Sequence, residues 1–347
     1  MRIGFDVSPL HLPHSRGVAR ATEGLANALE ARGRLEILRL VPEQGLGLFA
    51  WRQRRLPQLA QELKLDGIHS PVSAFALRGP GLRVQTVHEL PWKHGERENA
   101  DLRHRFWAGV GPLRAGAVLC PSETTARALA RRVLPGKQRI HVCPWGIGPP
   151  FQDEPPPGEV DEVVLARYRL GEDPLLLCLG AVRAKKNLAA VLHGLAELRR
   201  RKRGRVQLVV SGEDTPQLRR DLGLVSRLGL SACVSTPGPI EEAHLPALLR
   251  LSSVVAVLSR SEGFSFPVLE AMACGTPVLV PRDSAQAELA GELATCVDPE
   301  DPASVADGLE RALRERERLR TRLYERAARF TWARCAEQVE NVWRSLA

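Results

Sequence analysis

Apolar and polar positions alternate in short blocks along the chain. Compact apolar runs, typical of buried parallel strands, are separated by stretches in which apolar residues recur every three or four positions, the helical period. In the first half, Ser122 is a suitable N-cap for one such helix. The predicted strands here are residues 3–7, 35–40, 84–87, 117–119 and 140–142, and the predicted helices include residues 18–30 and 122–132.

The same alternation restarts after residue 158. The segment PPFQDEPPPG, residues 149–158, carries five prolines and therefore predicts a stiff, extended linker. Beyond it, the predicted strands are residues 175–179, 206–210, 234–236 and 254–258, and the predicted helices are residues 188–200, 217–228 and 241–251.

Alternating strands and helices indicate parallel sheets that are covered by helices. We therefore predict an α/β protein of two doubly wound, Rossmann-like domains, residues 1–155 and 156–330, that face a central cleft. Ligands of open parallel sheets bind beyond the carboxyl ends of the strands. The informative residues are accordingly expected just after strands.

Positive charge is concentrated in the first half of the chain. The whole chain of 347 residues carries a net charge of +9, and residues 1–150 hold 22 basic and 12 acidic side chains, a balance of +10. Two explanations stay open: an anionic partner such as a membrane surface, a phosphate-bearing acceptor or nucleic acid, or ordinary solvated arginine-rich helices.

The cysteines and the N-terminus bear on the compartment. Seven scattered cysteines without a CxxC pair favour a reducing compartment over a disulfide framework or a zinc site. The sequence MRIGFDVSPL is typical of a strand rather than a signal peptide, and no stretch is apolar enough to span a bilayer. We expect a cytoplasmic protein, with peripheral contact to the inner face of the membrane as the alternative location.

Two carboxylates stand eight positions apart in SRSEGFSFPVLEAMACGTPVLVP, residues 259–281. Glu262 precedes a glycine turn, and Ser265 is a candidate N-cap for a helix that we expect to end near Cys274. The N–H groups at such a helix start bind anions such as a diphosphate. Glu270, about one turn into the helix, is placed to accept hydrogen bonds from two vicinal hydroxyls. The alternative is a plain strand–turn–helix with two solvated glutamates.

A second candidate segment is CLGAVRAKKNL, residues 178–188, which ends a strand and begins a helix. Lys186 and Asn187 lie at the helix start, where a lysine opposes the helix dipole, so a bound phosphate would explain its position. Arg183 and Lys185 add positive charge, although surface lysines alone are weak evidence. After two later strands, Gly212 permits close backbone approach and Ile240 offers an apolar surface to a base.

These motifs resemble a known family. The pattern S-x-x-E-G-F-x-x-P-x-x-E-A and the G-x5-K-N element that ends at Asn187 are similar to the signature of retaining glycosyltransferases of the GT-B fold, sequence family four. Residues 15–29 look like the glycine loop and first helix of that family's acceptor domain, and TVHELP like its histidine turn. FTWARCAEQVENVWRSL resembles its C-terminal helix, so residues 331–347 are expected to pack back on the first domain.

The resemblance implies transfer of a hexose, with mannose favoured, from a UDP- or GDP-linked sugar to a glycan, lipid-linked or small-molecule acceptor. Neither a cofactor nor a metal is implied, and nucleic acid is not an expected partner. Lys186 would neutralise the diphosphate, and Glu262 would contact the sugar. The implied catalytic set is His88, Lys186 and Glu262, and the implied nucleotide-binding set is Gly17, Arg183, Asn187, Gly212, Ile240, Gly263, Phe264, Ser265, Leu269 and Glu270.

The sequence departs from the family pattern at three places. Ala181 replaces an arginine that many members carry, and Gly17 follows Arg16 where two glycines are common. Ser265 replaces the family's second turn glycine but still offers its N–H. Two other functions stay open: a nucleotide-sugar 2-epimerase on a related scaffold, and a non-catalytic nucleotide- or glycan-binding protein. His88 alone, at a strand end, would more often be structural. A dinucleotide oxidoreductase is disfavoured because no G-x-G-x-x-G follows the first strand.

Overall fold

The structure is a computed structural model that describes residues 1–12, 16–90, 92, 102–131, 139–151, 159–180, 183–202 and 205–347. The chain forms two compact units. The first comprises Met1–Gly148 together with Phe330–Ala347, and the second comprises Pro149–Arg329. The expected boundary at residue 155 lies outside the described residues.

The first unit contains a six-stranded parallel sheet in the order β2-β1-β3-β4-β5-β6. Its strands are β1 (Arg2–Asp6), β2 (Glu36–Leu40), β3 (Gly67–Ser70), β4 (Leu82–Thr86), β5 (Ala117–Cys120) and β6 (Ile140–Val142). Its α-helices before the second unit are α1 (Arg16–Arg32), α2 (Leu48–Ala50), α3 (Leu56–Glu62), α4 (Leu102–Gly109) and α5 (Glu123–Ala130).

Local chemistry explains several of these elements. The five predicted strands of the first half all form, and the strands nearest the middle of the sheet are buried, as expected for strands covered on both faces. Ser122 caps α5, because its hydroxyl accepts a bond from the Thr125 N–H. The pattern missed β3, whose sequence GIHS is too short and too polar to stand out.

The second unit contains another six-stranded parallel sheet, in the order β12-β11-β10-β7-β8-β9. Its strands are β7 (Leu175–Leu179), β8 (Gln207–Ser211), β9 (Val234–Gly238), β10 (Val254–Ala256), β11 (Val278–Pro281) and β12 (Thr295–Val297). Its α-helices are α6 (Glu159–Arg167), α7 (Leu188–Arg200), α8 (Pro216–Arg227), α9 (Leu245–Leu251), α10 (Phe266–Ala273), α11 (Ala285–Ala290) and α12 (Pro302–Ala327).

The strand order of this sheet reverses between β7 and β10. Counted from the first strand of the unit, the order is 3-2-1-4-5-6, the doubly wound topology, and ligands of such sheets bind where the order reverses. Two predictions needed adjustment. The predicted helix 241–251 divides into a 3-10 turn, Glu242–His244, and α9, and β10 ends at Ala256 rather than at residue 258. The prediction of two Rossmann-like parallel sheets is confirmed.

The C-terminal helix α13 (Trp332–Leu346) belongs to the first unit. Arg32 of α1 binds the buried Glu340 carboxylate at 2.9 Å, and the Trp343 indole N–H donates to His69 Nδ1 at 3.4 Å. Burial lowers the pKa of His69 to about 3, so the imidazole is neutral and can accept this bond. No α-helix in the described ranges is both long and apolar enough to cross a membrane.

A buried ion pair fixes the end of β1 in the first unit. Asp6 is fully buried and accepts bonds from Arg52 Nε at 3.2 Å, from the Trp51 indole at 2.9 Å and from the Ser8 N–H at 3.0 Å. Arg52 also donates to the Ser8 hydroxyl at 2.9 Å. The π-helical turn Trp51–Arg55, between α2 and α3, is thereby held against the sheet.

We predict that Asp6→Ala destabilises the protein by about 3–5 kcal/mol, because it leaves Arg52 buried without its carboxylate. Denaturant unfolding measures the change. Glu36→Ala is the matched control: Glu36 pairs with Arg2 at 3.0 Å on the exposed surface, so its loss should cost no more than about 1 kcal/mol. Equal losses for the two variants would contradict the structural role of Asp6.

Candidate active site

The reversal of strand order in the second unit brings two predicted site residues into contact. Lys186 follows β7 and Glu262 follows β10, the two strands that flank the reversal. Lys186 Nζ lies 2.7 Å from Glu262 Oε1, so the two form a charge-assisted hydrogen bond. Their side chains are 22% and 12% exposed, which places the pair at the edge of the protein interior.

A second lysine approaches the same carboxylate. Lys185 Nζ lies 4.0 Å from Glu262 Oε2, and the Lys185 side chain is only 8% exposed. Burial acts to raise the pKa of Glu262, but the charges of Lys186 and Lys185 outweigh it, so the pKa lies below its usual range. Glu262 is therefore ionised, with a lysine beside each of its two oxygens. The sequence assigned no separate role to Lys185.

The backbone between β7 and α7 is shaped by a left-handed residue. Ala184–Lys186 form a 3-10 turn, and Asn187 follows with φ 55° and ψ 44°, a conformation that asparagine tolerates better than most residues. The Arg260 N–H donates to the Lys185 carbonyl at 2.8 Å, which ties this turn to the segment after β10. Asn187 Nδ2 is buried and has no hydrogen-bond partner within the described ranges.

The start of α10 differs in one respect from the prediction. Ser265 occupies the N-cap position, but its hydroxyl makes no capping bond, and Ser265 Oγ is buried without a partner in the described part of the chain. Its ψ is 98°, whereas the hydroxyls that cap other helices of the described residues sit on more extended residues. Those residues, with ψ of 149–162°, are Ser122, Thr215, Ser284 and Thr331.

The remaining predicted residues of this segment lie on or beside α10. Glu270 is in the second turn of the helix and 4% exposed, whereas Leu269 is fully buried and donates its N–H to the Ser265 carbonyl at 3.1 Å. Phe264 is half-buried and packs edge-on against Phe266, with ring centroids 5.4 Å apart. The first N–H groups of a helix have no intrahelical partner, so this end of α10 can receive an anion.

Two other predicted residues follow β8 and β9. The Gly212 N–H donates to the Gly238 carbonyl at 3.2 Å, so this donor is already used within the sheet end. Gly238 has φ 86°, a conformation that favours glycine. Ile240 is half-buried two residues later, and Arg183 precedes the 3-10 turn of Lys186 in an extended conformation.

Gly17 and His88 belong to the first unit. Gly17 lies in the first turn of α1 rather than in a loop, because the helix begins at Arg16, two residues earlier than predicted. A Cβ atom added at Gly17 would meet no atom within 4 Å among the described residues. His88 follows β4, and its Nε2 lies 2.8 Å from the Pro71 carbonyl oxygen. A carbonyl only accepts, so Nε2 carries a proton and donates this hydrogen bond.

Both halves of the chain match described families. Residues 166–330 match "Glycosyl transferases group 1", and residues 18–149 match "Glycosyltransferase Family 4". One relative, the MMP alpha-(1->4)-mannosyltransferase of Mycolicibacterium hassiacum, is 30% identical over 75% of this chain and 64% of its own length. Another, the D-inositol 3-phosphate glycosyltransferase of Frankia alni, is 36% identical over 52% of this chain and 48% of its own length. The chain thus spans about half to two thirds of these relatives.

Solved structures share the fold at low sequence identity. Sucrose-phosphate synthase of Thermosynechococcus elongatus superposes with a TM-score of 0.77 at 20% identity, over 100% of this chain and 99% of its own. The Anabaena protein HepE, solved with UDP and glucose, gives 0.76 at 16% identity, over 99% and 100% of the two chains. Together with the two parallel sheets and the family matches in both halves, these similarities show that the chain has the GT-B fold and belongs to the group 1 glycosyltransferases of family four.

Proposed function

We propose that this protein transfers a hexosyl group from a UDP- or GDP-linked sugar to an acceptor hydroxyl, with retention at the anomeric carbon. The observation that carries the proposal is the contact between Lys186 and Glu262, 2.7 Å, where the strand order reverses. Such a crevice is where doubly wound sheets bind nucleotides. A positively charged cluster beside a helix N-terminus suits a diphosphate.

Charge balance gives Lys186 its role. Lys185 and Lys186 both lie within 4.0 Å of the Glu262 carboxylate, so two lysines approach this one acid. A diphosphate would draw Lys186 away from Glu262, and Lys185 would remain as the counterion of that carboxylate. As the bond between the anomeric carbon and the diphosphate oxygen breaks, negative charge grows on the leaving group, and a preorganised ammonium stabilises it.

The two glutamates have separate roles in this proposal. Glu262, released from Lys186, accepts hydrogen bonds from hydroxyls of the donor sugar and orients its anomeric carbon. Glu270, in the second turn of α10, would bind the ribose, as the resemblance implies. The ribose does not change during transfer, so Glu270 would bind the ground state and the transition state equally. The resemblance also implies a catalytic role for His88, whose Nε2 lies 2.8 Å from the Pro71 carbonyl oxygen.

The relatives bear on the donor and the acceptor. One at 30% identity is named a mannosyltransferase, and HepE was solved with UDP and glucose, so a hexose donor is favoured and mannose is the leading candidate. Another relative is named D-inositol 3-phosphate glycosyltransferase, so its name includes a phosphate-bearing compound. This agrees with the basic first half of the present chain, which favours a phosphate-bearing or lipid-linked glycan acceptor and peripheral contact with an anionic membrane.

The epimerase alternative gains no support, since both of the relatives described above are named as transferases. Incubation with UDP- and GDP-hexoses tests the proposal directly, because transfer requires an acceptor whereas epimerisation does not. The anomeric configuration of the product, read by NMR, tests retention. Conversion of the donor to its epimer without an acceptor would show that the protein is an epimerase and not a transferase. Binding without any turnover would exclude both activities.

We predict that Lys186→Ala lowers kcat by about a hundredfold or more, since it removes a donor that stabilises leaving-group charge. Folding should survive, because Lys185 remains as a partner for Glu262. Arg314→Ala, which removes an exposed cation from α12, is the matched control and should leave the rate unchanged. Near-normal turnover by Lys186→Ala would remove Lys186 from the mechanism.

Substitution of the two acids should separate their roles. Glu262→Gln should lower kcat by about 10- to 100-fold with little change in KM, because sugar orientation matters most in the transition state. Glu270→Gln should raise KM by about tenfold or more through the loss of charge-assisted bonds to ribose. Steady-state kinetics measures both. Equal loss of kcat with unchanged KM in both variants would mean that the acids act as one unit.

The charge that stabilises the leaving group comes from Lys186 and the start of α10, so we propose that no divalent metal ion is required. Activity should therefore be unchanged in excess EDTA. Measurement of initial rates with EDTA, and again after addition of magnesium or manganese, checks this. Loss of activity that either ion restores would contradict the proposal.

A further inference from the structure

A cavity of about 320 Å³ lies beside β12, at one edge of the sheet in the second unit. β12 is the end strand of the order β12-β11-β10-β7-β8-β9, so one side of it lacks a neighbouring strand in the described sheet. The volume falls within the range of about 300–1,000 Å³ that is usual for small-molecule sites. We call this space the edge cavity. Its charged lining residues are Arg282, Glu292, Arg311, Glu315, Arg318 and Arg322.

The helical period of α12 brings four of these side chains to the edge cavity. They are spaced by four, three and four residues, so they lie on one face of the helix: Arg311, Glu315, Arg318 and Arg322. The other two charged residues come from the segment between β11 and β12, which contributes the opposite side of the lining. The edge cavity thus has charged groups on two sides.

Two of the four arginines already have carboxylate partners. Arg322 binds Glu292 at 2.5 Å, and Arg318 binds Glu315 at 3.1 Å. Both pairs are open to solvent, since the side chains of Glu292 and Glu315 are 81% and 34% exposed. Exposed ion pairs are weak. An anionic ligand can therefore take a guanidinium group from either carboxylate at small cost.

The other two arginines, Arg282 and Arg311, form no ion pair within the described ranges. Arg311 donates a hydrogen bond to the Cys296 carbonyl at 3.3 Å. Burial raises the pKa of the Cys296 thiol, and the charges of both arginines oppose that rise. Since Coulomb interactions weaken with distance, both guanidinium groups lie near this thiol. Asp283 acts on the thiol in the opposite sense, so at most three carboxylates accompany the four guanidinium groups.

This set of groups fits a ligand that combines a phosphate with hydroxyls. Guanidinium groups bind phosphate oxygens through pairs of parallel hydrogen bonds. A phosphomonoester carries a charge of about −1.5 to −2 near pH 7, which the two arginines without ion pairs would balance. The carboxylates of Glu292 and Glu315 accept hydrogen bonds from hydroxyls but repel a bare anion. A sugar phosphate supplies both kinds of group.

Protection of the sheet edge explains these arginines less completely. The bond from Arg311 to the Cys296 carbonyl covers part of the open side of β12, and a covered edge resists pairing with another chain. That bond gives Arg311 a structural use. It gives none to Arg282, which faces the same thiol from the end of β11.

We propose that the edge cavity binds a sugar phosphate, with Arg282 and Arg311 holding the phosphate. The inference goes beyond the proposed function, because this cavity is separate from the crevice proposed to bind the nucleotide. That crevice lies where the strand order reverses between β7 and β10, and β11 separates β10 from β12.

Calorimetric titration of the full chain with mannose 6-phosphate tests the proposal. Binding should be saturable, and Arg282→Gln with Arg311→Gln should weaken it at least about tenfold, because two charge-assisted partners are lost. Inorganic phosphate should bind more weakly than the sugar phosphate, since it brings no sugar hydroxyls to the carboxylates. Equal affinity for the two ligands would show that the cavity takes free phosphate and would overturn the assignment to a sugar phosphate.

The Cys296 thiol, half-buried in the lining of the edge cavity, reports whether the ligand binds there. Its labelling by iodoacetamide, followed by peptide mass spectrometry, should slow by about tenfold at a mannose 6-phosphate concentration about ten times its Kd. Cys233 is also half-buried but is not part of this lining, so its labelling rate should not change. Equal slowing at both thiols would contradict binding in the edge cavity.

The matched control is Arg227→Gln with Arg314→Gln. It removes two exposed arginines of the second unit, and Arg227, like Arg311, donates to a backbone carbonyl. Mannose 6-phosphate binding should be unchanged in this control and in Lys186→Ala, and circular dichroism verifies that each variant is folded. Absence of binding, or equal weakening in the control, would overturn the inference.

Loss of mannose 6-phosphate binding in Lys186→Ala would also overturn it, because the ligand would then occupy the proposed nucleotide site. Neither titration nor labelling involves sugar transfer. Failure of the proposed transferase reaction would therefore leave both results interpretable, and the two proposals can fail separately.

Discussion

The site depends on one shared carboxylate, Glu262, which is 12% exposed and stands between two lysines. A carboxylate with so little access to water is costly unless cations accompany it, and removal of a partner leaves a charge without compensation. Lys186 at 2.7 Å and Lys185 at 4.0 Å supply that compensation and lower the pKa of Glu262. The same lysine–glutamate contacts also connect the segments that follow β7 and β10. They therefore determine both the charge distribution of the site and the relative position of its two loops.

The topology of the sheet determines which residues can form this cluster. Lys186 and Glu262 are 76 positions apart, and they meet because β7 and β10 are neighbours where the strand order reverses. The Arg260 N–H to the Lys185 carbonyl, 2.8 Å, closes the same junction through the backbone. Two lysines lie beside Glu262. The start of α10 has no hydroxyl cap at Ser265, and the Asn187 amide nitrogen is buried without a partner among the described residues. These features suit the site to an anionic ligand.

Hydrophobic periodicity predicted the second sheet well where the elements are long. Residues 175–179 and 188–200 coincide with β7 and α7. It missed three strands, β3, β11 and β12. Length alone does not explain this, because β5, β6 and β10 are equally short and were predicted. Polar residues dilute the apolar pattern in β3, GIHS, and β12, TCV. Among site residues, the motifs identified Lys186 and Glu262 but not their contact. They expected Lys185 to add positive charge but not to lie beside Glu262. They could not show the ψ of Ser265 or the helical position of Gly17, because these depend on the local backbone.

The most direct test of this account is calorimetric binding of whichever nucleoside diphosphate, UDP or GDP, stabilises the protein more. The parent, Lys186→Met, Glu262→Gln and the double variant form a double-mutant cycle. If Lys186 exchanges Glu262 for the diphosphate, Glu262→Gln should tighten binding in the parent background, because the lysine is released. In the Lys186→Met background, Glu262→Gln should improve the binding free energy by less, and the difference between the two backgrounds should be at least about 1 kcal/mol. Additive effects, or weaker binding in Glu262→Gln alone, would show that Lys186 does not change partners and would contradict the account.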